Sequence, residues 1–283
     1  MKHCSKCNHN FGDNAYLFCP FCGVELQAVN PLDDIKRAAK QGDSEAQYKL
    51  GCCYDLGNGI KIDHREAMVW WTKAAEQNNP KAQYELGEYF HMGLYVEKDE
   101  NKAQEWWDKA AHGFCQAAEQ GDADAQHMLG TCYHNGRGIE KDEEKAQEWW
   151  GKSVELYRKD AESGNAEAQY RLGDCYVMGE GVEEDEEEAN KWLRKAARQG
   201  HADAQFKYGL GCNLNDDEEE AMEWFRKAAE QGHVMAMYSL AQSLVYIDGN
   251  IEEAVKWLRR GIELGDEKAS LFLEHDAHVR DYR

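Results

Sequence analysis

The chain has 283 residues, a 42% hydrophobic fraction, only three prolines and a formal net charge of −21. That composition supports a packed core and excludes a disordered or low-complexity chain. So acidic a surface repels nucleic-acid phosphates and anionic membranes, and it favours basic partners. No stretch has the length and apolarity of a membrane span, and the MKHCSKC start carries no apolar run of the signal-peptide kind. Ten cysteines without such a signal fit a reducing, cytoplasmic location.

The first 28 residues form a predicted module of their own. Lys2, Lys6, Asp13 and Glu25 balance to zero, so the acidity belongs to the rest of the chain. Cys4-x2-Cys7 and Cys19-x2-Cys22 stand eleven residues apart, each pair within a tight-turn context, CSKCN and CPFCG. Four thiolates so spaced suit one tetrahedral, closed, structural Zn2+. The pairs resemble the short zinc ribbons found at the N-terminus of many prokaryotic proteins. So short a segment has no core without its metal, so zinc binding would supply its folding energy. Phe18 and Phe21 read as its small core, with base stacking as the alternative role.

Residues 32–283 then repeat one pattern six times. AQYKLGCCYDLGNGIKIDHREAMVWWTKAA, residues 46–75, returns as AQHMLGTCYHNGRGIEKDEEKAQEWWGKSV and as AQYRLGDCYVMGEGVEEDEEEANKWLRKAA. A fixed period marks stacked units, each too small to bury its own apolar face. Gly42, Asn78, Gly121, Gly164, Gly200, Gly232 and Gly265 close units as left-handed helix ends. Asp43, Asn79, Asp122 and Asn165 follow as N-caps, with Pro80 at a first helical position. Helix A carries Ala46, Leu50 and Tyr54 on one face. A mid-helix Gly recurs at Gly51, Gly87, Gly130 and Gly173, which predicts a close approach of two helix backbones there. Gly-x-Gly loops follow at Gly57-Gly59, Gly136-Gly138 and Gly179-Gly181. Helix B opens at Asp63, Asp99, Asp142 and Asp185, and it holds all nine tryptophans in one aligned aromatic site. Residues 33–41 read as a truncated helix B and residues 266–281 as a lone helix A, the two caps of the stack.

Two sets of residues stand out as candidate binding surfaces. Subtracting the apolar face of helix A leaves a variable stripe: Glu45, Lys49, Cys52 and Leu56 in unit one, Lys81, Glu85, Glu88 and Met92 in unit two, Asp124, Met128, Thr131 and Asn135 in unit three, and Glu167, Arg171, Asp174 and Met178 in unit four. Such a stripe is expected to line the concave surface. The second set follows from spacing. Gly42 to Asn78 is 36 residues, but Asn78 to Gly121 and Gly121 to Gly164 are 43 each. Seven extra residues lengthen helix B by about 10 Å and rotate it by only about 20°. The extensions, residues 112–118 and 154–160, are expected to stand as an apolar ridge of Phe114, Leu156 and Tyr157, with Gly113 as its weak point. That ridge would be a second docking edge.

The run A-Q-x-x-L-G-x-x-Y-x-x-G-x-G followed by I/V-x-x-D-x-x-x-A-x-x-W-x-x-K-A-A resembles the Sel1-like repeat family, over about residues 33–280. The match weakens in the fifth unit, which lacks the Gly-x-Gly loop, and in the sixth, where Ala241 replaces Gly. The resemblance implies an all-α, right-handed α/α solenoid related to tetratricopeptide repeats, and adaptor or scaffold work on protein partners. It implies no shared chemistry. Some secreted members link their two helices by disulfides. Here Cys53, Cys132 and Cys175 share a helix A column without partners on helix B, so they read as small apolar core residues. Certain cysteine-rich members are linked to β-lactam chemistry. No serine here is followed three residues later by Lys, and no His-x-His-x-Asp cluster exists. His91 and His134 share a column and read as a solvent-facing pair. The expectation is a non-catalytic scaffold for protein partners, with no small-molecule substrate. A nucleic-acid regulator acting through the ribbon is the alternative, and a β-lactamase-like hydrolase stands behind it.

Overall fold

Each cap predicted from the sequence starts a helix, because its side chain supplies the hydrogen bond that the first helical amides lack. In the computed structural model Asp43 accepts from Ala46 N at 2.7 Å, Asn79 from Ala82 N at 3.0 Å and Asp122 from Ala125 N at 2.7 Å. The structure describes residues 2–3, 10–11, 27–28, 31–214 and 217–280. Three two-residue strands, β1 (Lys2–His3), β2 (Asn10–Phe11) and β3 (Gln27–Ala28), pair antiparallel in the order β2-β1-β3. The predicted zinc ligands Cys4, Cys7, Cys19 and Cys22 lie outside the described residues.

Beyond them the described chain is helical. A capping helix α1 (Pro31–Lys40) precedes six pairs. These are α2 (Ser44–Leu56) with α3 (His64–Glu76), α4 (Pro80–Met92) with α5 (Glu100–Glu119), and α6 (Ala123–Asn135) with α7 (Glu143–Glu162). Next come α8 (Ala166–Met178) with α9 (Glu186–Arg198), and α10 (Ala202–Leu214) with α11 (Glu218–Glu230). The last pair is α12 (Val234–Ser243), prolonged by a π-helical turn at Leu244–Asp248, with α13 (Ile251–Glu263). α14 (Glu267–His275) closes the stack.

The mid-helix glycines make room for a side chain rather than for a second backbone. A Cβ on Gly51 would stand 2.4 Å from the Trp71 ring, one on Gly87 2.3 Å from Trp107 and one on Gly130 2.5 Å from Trp150. Those indoles fill the space the glycines leave and are almost fully buried. In units four and five Leu193 and Phe225 take the same place against Gly173 and Gly209. The loop glycines, by contrast, do meet backbone. A Cβ on Gly138 would fall 2.1 Å from the Trp107 carbonyl oxygen, and one on Gly181 2.3 Å from the Trp150 carbonyl carbon. Each loop therefore rests on helix B of the unit before it.

A buried glutamine ties neighbouring units together. Gln47, Gln83, Gln126, Gln169 and Gln205 each donate to the carbonyl of an alanine near the end of the preceding helix B or of α1, at 3.0–3.2 Å. Such a bond satisfies a helix-end carbonyl inside the core. In units five and six histidine takes over the capping position. Nδ1 of His201 accepts from Ala204 N at 3.2 Å and Nδ1 of His233 from Ala236 N at 3.1 Å.

The stack curls until its two ends meet. Ile62 N donates to Leu264 O at 2.8 Å. A Cβ on Gly57 would touch Val234 at 2.9 Å, and one on Gly232 would lie 3.1 Å from Gly59. The loop of unit one thus rests on the turns at either end of unit six.

Candidate functional site

The final residue of each helix A comes to the surface where the helix runs into its loop. Leu56 is 50% exposed, Met92 51%, Met178 60% and Leu214 80%. Tyr246, in the π-helical turn that ends helix A of unit six, continues the column, and Asn135 is its polar member. The units so present one ladder of large apolar side chains at the same register.

The start of the predicted stripe is different, since the chain uses much of it itself. Lys81 pairs with Asp124 at 2.8 Å, and Tyr157 donates to the other oxygen of Asp124 at 2.8 Å. Burial opposes ionisation of Asp124, but Lys81, Arg171 and the Tyr157 hydroxyl outweigh it and hold the carboxyl at about 2. Arg171 pairs with Glu167 at 2.9 Å, Lys49 with Glu45 at 3.6 Å, and Lys207 with Asp174. Thr131 Oγ1 donates to His127 O at 3.1 Å. Met128 packs half-buried against the core around Leu129, and Cys52 against that around Trp71. Burial and the neighbouring Glu85 push the Cys52 thiol up to about 12, which makes it a packing residue rather than a nucleophile.

Between units one, two and three the stripe opens into a cavity of about 590 Å³. Glu85, Glu88, Met92, Thr131 and Asn135 of the predicted set line it, together with Asp55, His64, Tyr84, Tyr89, Leu94, Tyr95 and Arg137. Asp55 accepts from Tyr89 and contacts His64 Nδ1 at 2.8 Å. Tyr95 stacks on His64 with ring centroids 4.2 Å apart. Arg137 reaches from the loop after α6 to pair with Glu88 Oε2 at 2.8 Å and to donate to the Tyr84 hydroxyl at 2.6 Å. Burial raises Glu88, and Arg137 works against that rise. Burial, with the charges of Asp55 and Glu88 beside it, pushes Glu85 up to about 7. Tyr95 and Arg137 were missed by the sequence reading. Tyr95 had a signal, because it stands where other units have the second loop glycine.

The expected second edge is corrected. The extensions are helical as predicted, for α5 and α7 run 20 residues each against 13 for α3. Gly113 does not break α5; it packs against Pro80. Yet Phe114 is 0% and Tyr157 5% exposed, and Leu156 is only partly exposed. Phe114 faces Tyr84 of α4 at 6.4 Å, and Tyr157 turns inward to Asp124. No apolar ridge of these rings stands above the solenoid, because the added turns lie against the A helices of their own and adjoining units.

His91 and His134 do not meet. Each binds the first glutamate of its own helix B, Glu100 and Glu143, at 2.9 Å. Cys132 and Cys175 are buried and Cys53 half-buried, and all three are free thiols. Among the described residues no cluster of three or more His, Cys, Asp or Glu side chains could hold a metal ion. No described helix is long and apolar enough to cross a membrane.

A search among curated proteins gave no match. Among solved structures, a Sel1 repeat protein from Oxalobacter formigenes is 29% identical over 86% of this chain and 79% of its own, with a TM-score of 0.45. A protective antigen of uropathogenic Escherichia coli strains, displaying an SLR fold, is 28% identical over 88% and 68%, with a TM-score of 0.40. An immunity protein from Pseudomonas aeruginosa is 22% identical over 69% of each chain, with a TM-score of 0.44. The Sel1 repeat pattern itself matches residues 44–79, 80–113, 123–159, 166–201, 202–233 and 234–266. Six consecutive matches cover well over half of the sequence, and the chain belongs to the Sel1 repeat family.

Proposed function

We propose that this protein is a non-catalytic scaffold that holds a protein partner along the ends of its A helices. The observation that carries this reading is the ladder of exposed Leu56, Met92, Met178 and Leu214 beside the carboxylates of the inner stripe. Apolar side chains repeated in register suit an extended or helical partner segment, and exposed apolar patches of this kind mark interaction sites. The acidic surroundings favour a basic partner. Affinity purification with mass spectrometry from the native host tests it. A Leu56→Asp, Met92→Asp, Met178→Asp variant should stay folded, because all three side chains are exposed, and should lose the partners that the parent chain recovers. Equal recovery by both would end the reading.

We further propose that Cys4, Cys7, Cys19 and Cys22 hold one structural Zn2+. The spacing of the two pairs supports this, as does the antiparallel pairing of β1 with β2 and β3, which brackets both pairs in the sequence. A reducing, cytoplasmic setting fits the free thiols at Cys52, Cys53, Cys115, Cys132, Cys175 and Cys212.

A further inference from the structure

Three carboxylates line the cavity between units one, two and three, and two of them are answered from within. Asp55 is bonded to His64 and Tyr89. Glu88 Oε2 holds Arg137, whose guanidinium also lies over the Tyr84 and Trp107 rings at 5.6 and 5.0 Å, while Glu88 Oε1 is buried without a hydrogen-bond partner. This wall therefore already shows how it holds a guanidinium, with a carboxylate and a tyrosine hydroxyl accepting from it and two aromatic rings beside it.

Glu85 sits one turn before Glu88 on the same helix and lines the same cavity. Among the described residues it has no hydrogen bond and no ion pair. The groups near it are anionic or neutral: Asp55, Glu88, Tyr48 and Cys52. The Glu85 side chain is half-buried, and a carboxylate partly removed from water without a counter-charge is unfavourable for the folded chain; burial raises its pKa to about 7. A cation entering the cavity would remove that penalty.

The mouth of the cavity is apolar. Met92 is 51% exposed, Leu94 43% and Tyr95 56%. Tyr95 holds φ at +60°, where units one, three and four place Gly59, Gly138 and Gly181. A left-handed backbone is unfavourable for a residue with a Cβ. Here that strain brings an aromatic ring to the cavity mouth, stacked on His64.

We propose that this cavity is a subsite for an arginine side chain of a protein partner, its guanidinium paired with Glu85 and the apolar residue next to it resting on Met92, Leu94 and Tyr95. The inference rests on the scaffold reading and narrows its partner. Arginine fits better than lysine because its planar, forked donors match a carboxylate flanked by aromatic rings, as Arg137 does.

The test uses the full chain and two pools of fluorescent pentapeptides, with arginine or citrulline at the centre and glycine, leucine or phenylalanine at the other positions. Citrulline keeps the shape and removes the charge. The arginine pool should bind at least tenfold more tightly in a polarisation assay. Glu85→Gln should abolish that preference at unchanged or raised melting temperature. Tyr95→Gly, which restores the loop of the other units, should weaken arginine binding severalfold without loss of stability. Equal binding of the two pools, no binding of either, or a preference that survives Glu85→Gln would overturn the proposal. If the native partner is lost in the Leu56, Met92, Met178 variant but arginine preference is absent, the groove stands and the arginine subsite falls.

Discussion

The amide of Ile62 donates to the carbonyl of Leu264 at 2.8 Å, joining the loop of unit one to the turn that ends unit six. An open stack would leave both groups to water. Here the contact closes the curve, with Val234 against Gly57 and Gly232 against Gly59. Buried Val234 is the apolar centre of this junction. Val234→Asp should open it, because a carboxylate buried there has no partner and costs several kcal/mol unless the junction parts. The expected result is a larger radius of gyration in small-angle scattering and faster exchange of the Ile62 amide, at unchanged helix content. An unchanged radius and a still-protected amide would show that the junction does not hold the curve.

The Gly51 and Trp71 pair predicts a reversal of helix propensity. Alanine is worth about 1 kcal/mol over glycine in an exposed helix. At residue 51 the added methyl would meet the Trp71 ring, so Gly51→Ala should destabilise by about 1–3 kcal/mol. Trp71→Leu alone should cost about 2–4 kcal/mol through the cavity it leaves. The double variant copies the Ala241 and Leu258 combination of unit six, both fully buried there. Denaturant melts of the four proteins should return a coupling of about 1 kcal/mol or more in favour of the double variant. Strict additivity would mean that the glycine serves something other than the ring.

Glu85 makes stability fall as pH rises through a defined window. Its folded pKa of about 7 lies above the ordinary 4.5, so between those values the folded chain keeps a proton that the unfolded chain has lost. Stability therefore drops from pH 4.5 to 7 and is level above. Asp55 and Tyr48 face the group from α2, Glu88 lies on its own helix, and His64 and Arg137 close the cavity from α3 and the loop after α6. Glu85→Gln removes the burden. It should be more stable than the parent at pH 8 by about 2 kcal/mol, or about 4 °C in melting temperature, and the gap should close toward pH 4.5. Thermal melts across that range decide it.

Zinc should bind once per chain. Elemental analysis of the purified protein is expected to give one zinc, and a Cys4→Ser, Cys19→Ser variant to give none. That variant should keep the helical circular-dichroism signal and cooperative melt of the solenoid, whose core residues begin at Leu32. A variant still holding one zinc would dismiss these ligands.

The repeat, the caps and the lengths of the helices were written in the sequence, because each rests on local chemistry. Asp43 caps α2 through an amide three residues away, and seven added residues lengthen α5 and α7 by whole turns. The stripe on helix A was legible for the same reason, since 3.6-residue periodicity places Glu85, Glu88 and Met92 on one face. What that face meets was not legible. Phe114 and Tyr157 looked like an exposed ridge by spacing, yet turned inward because Tyr84 and Asp124, 30 and 33 residues earlier, offer a ring and a carboxylate. Arg137 reaches Glu88 across 49 residues, and Ile62 reaches Leu264 across 202. The residue pattern of one unit sets its helices. The small rotation between units, summed over six of them, decided which loops touch, which carboxylates found a cation, and that Glu85 did not.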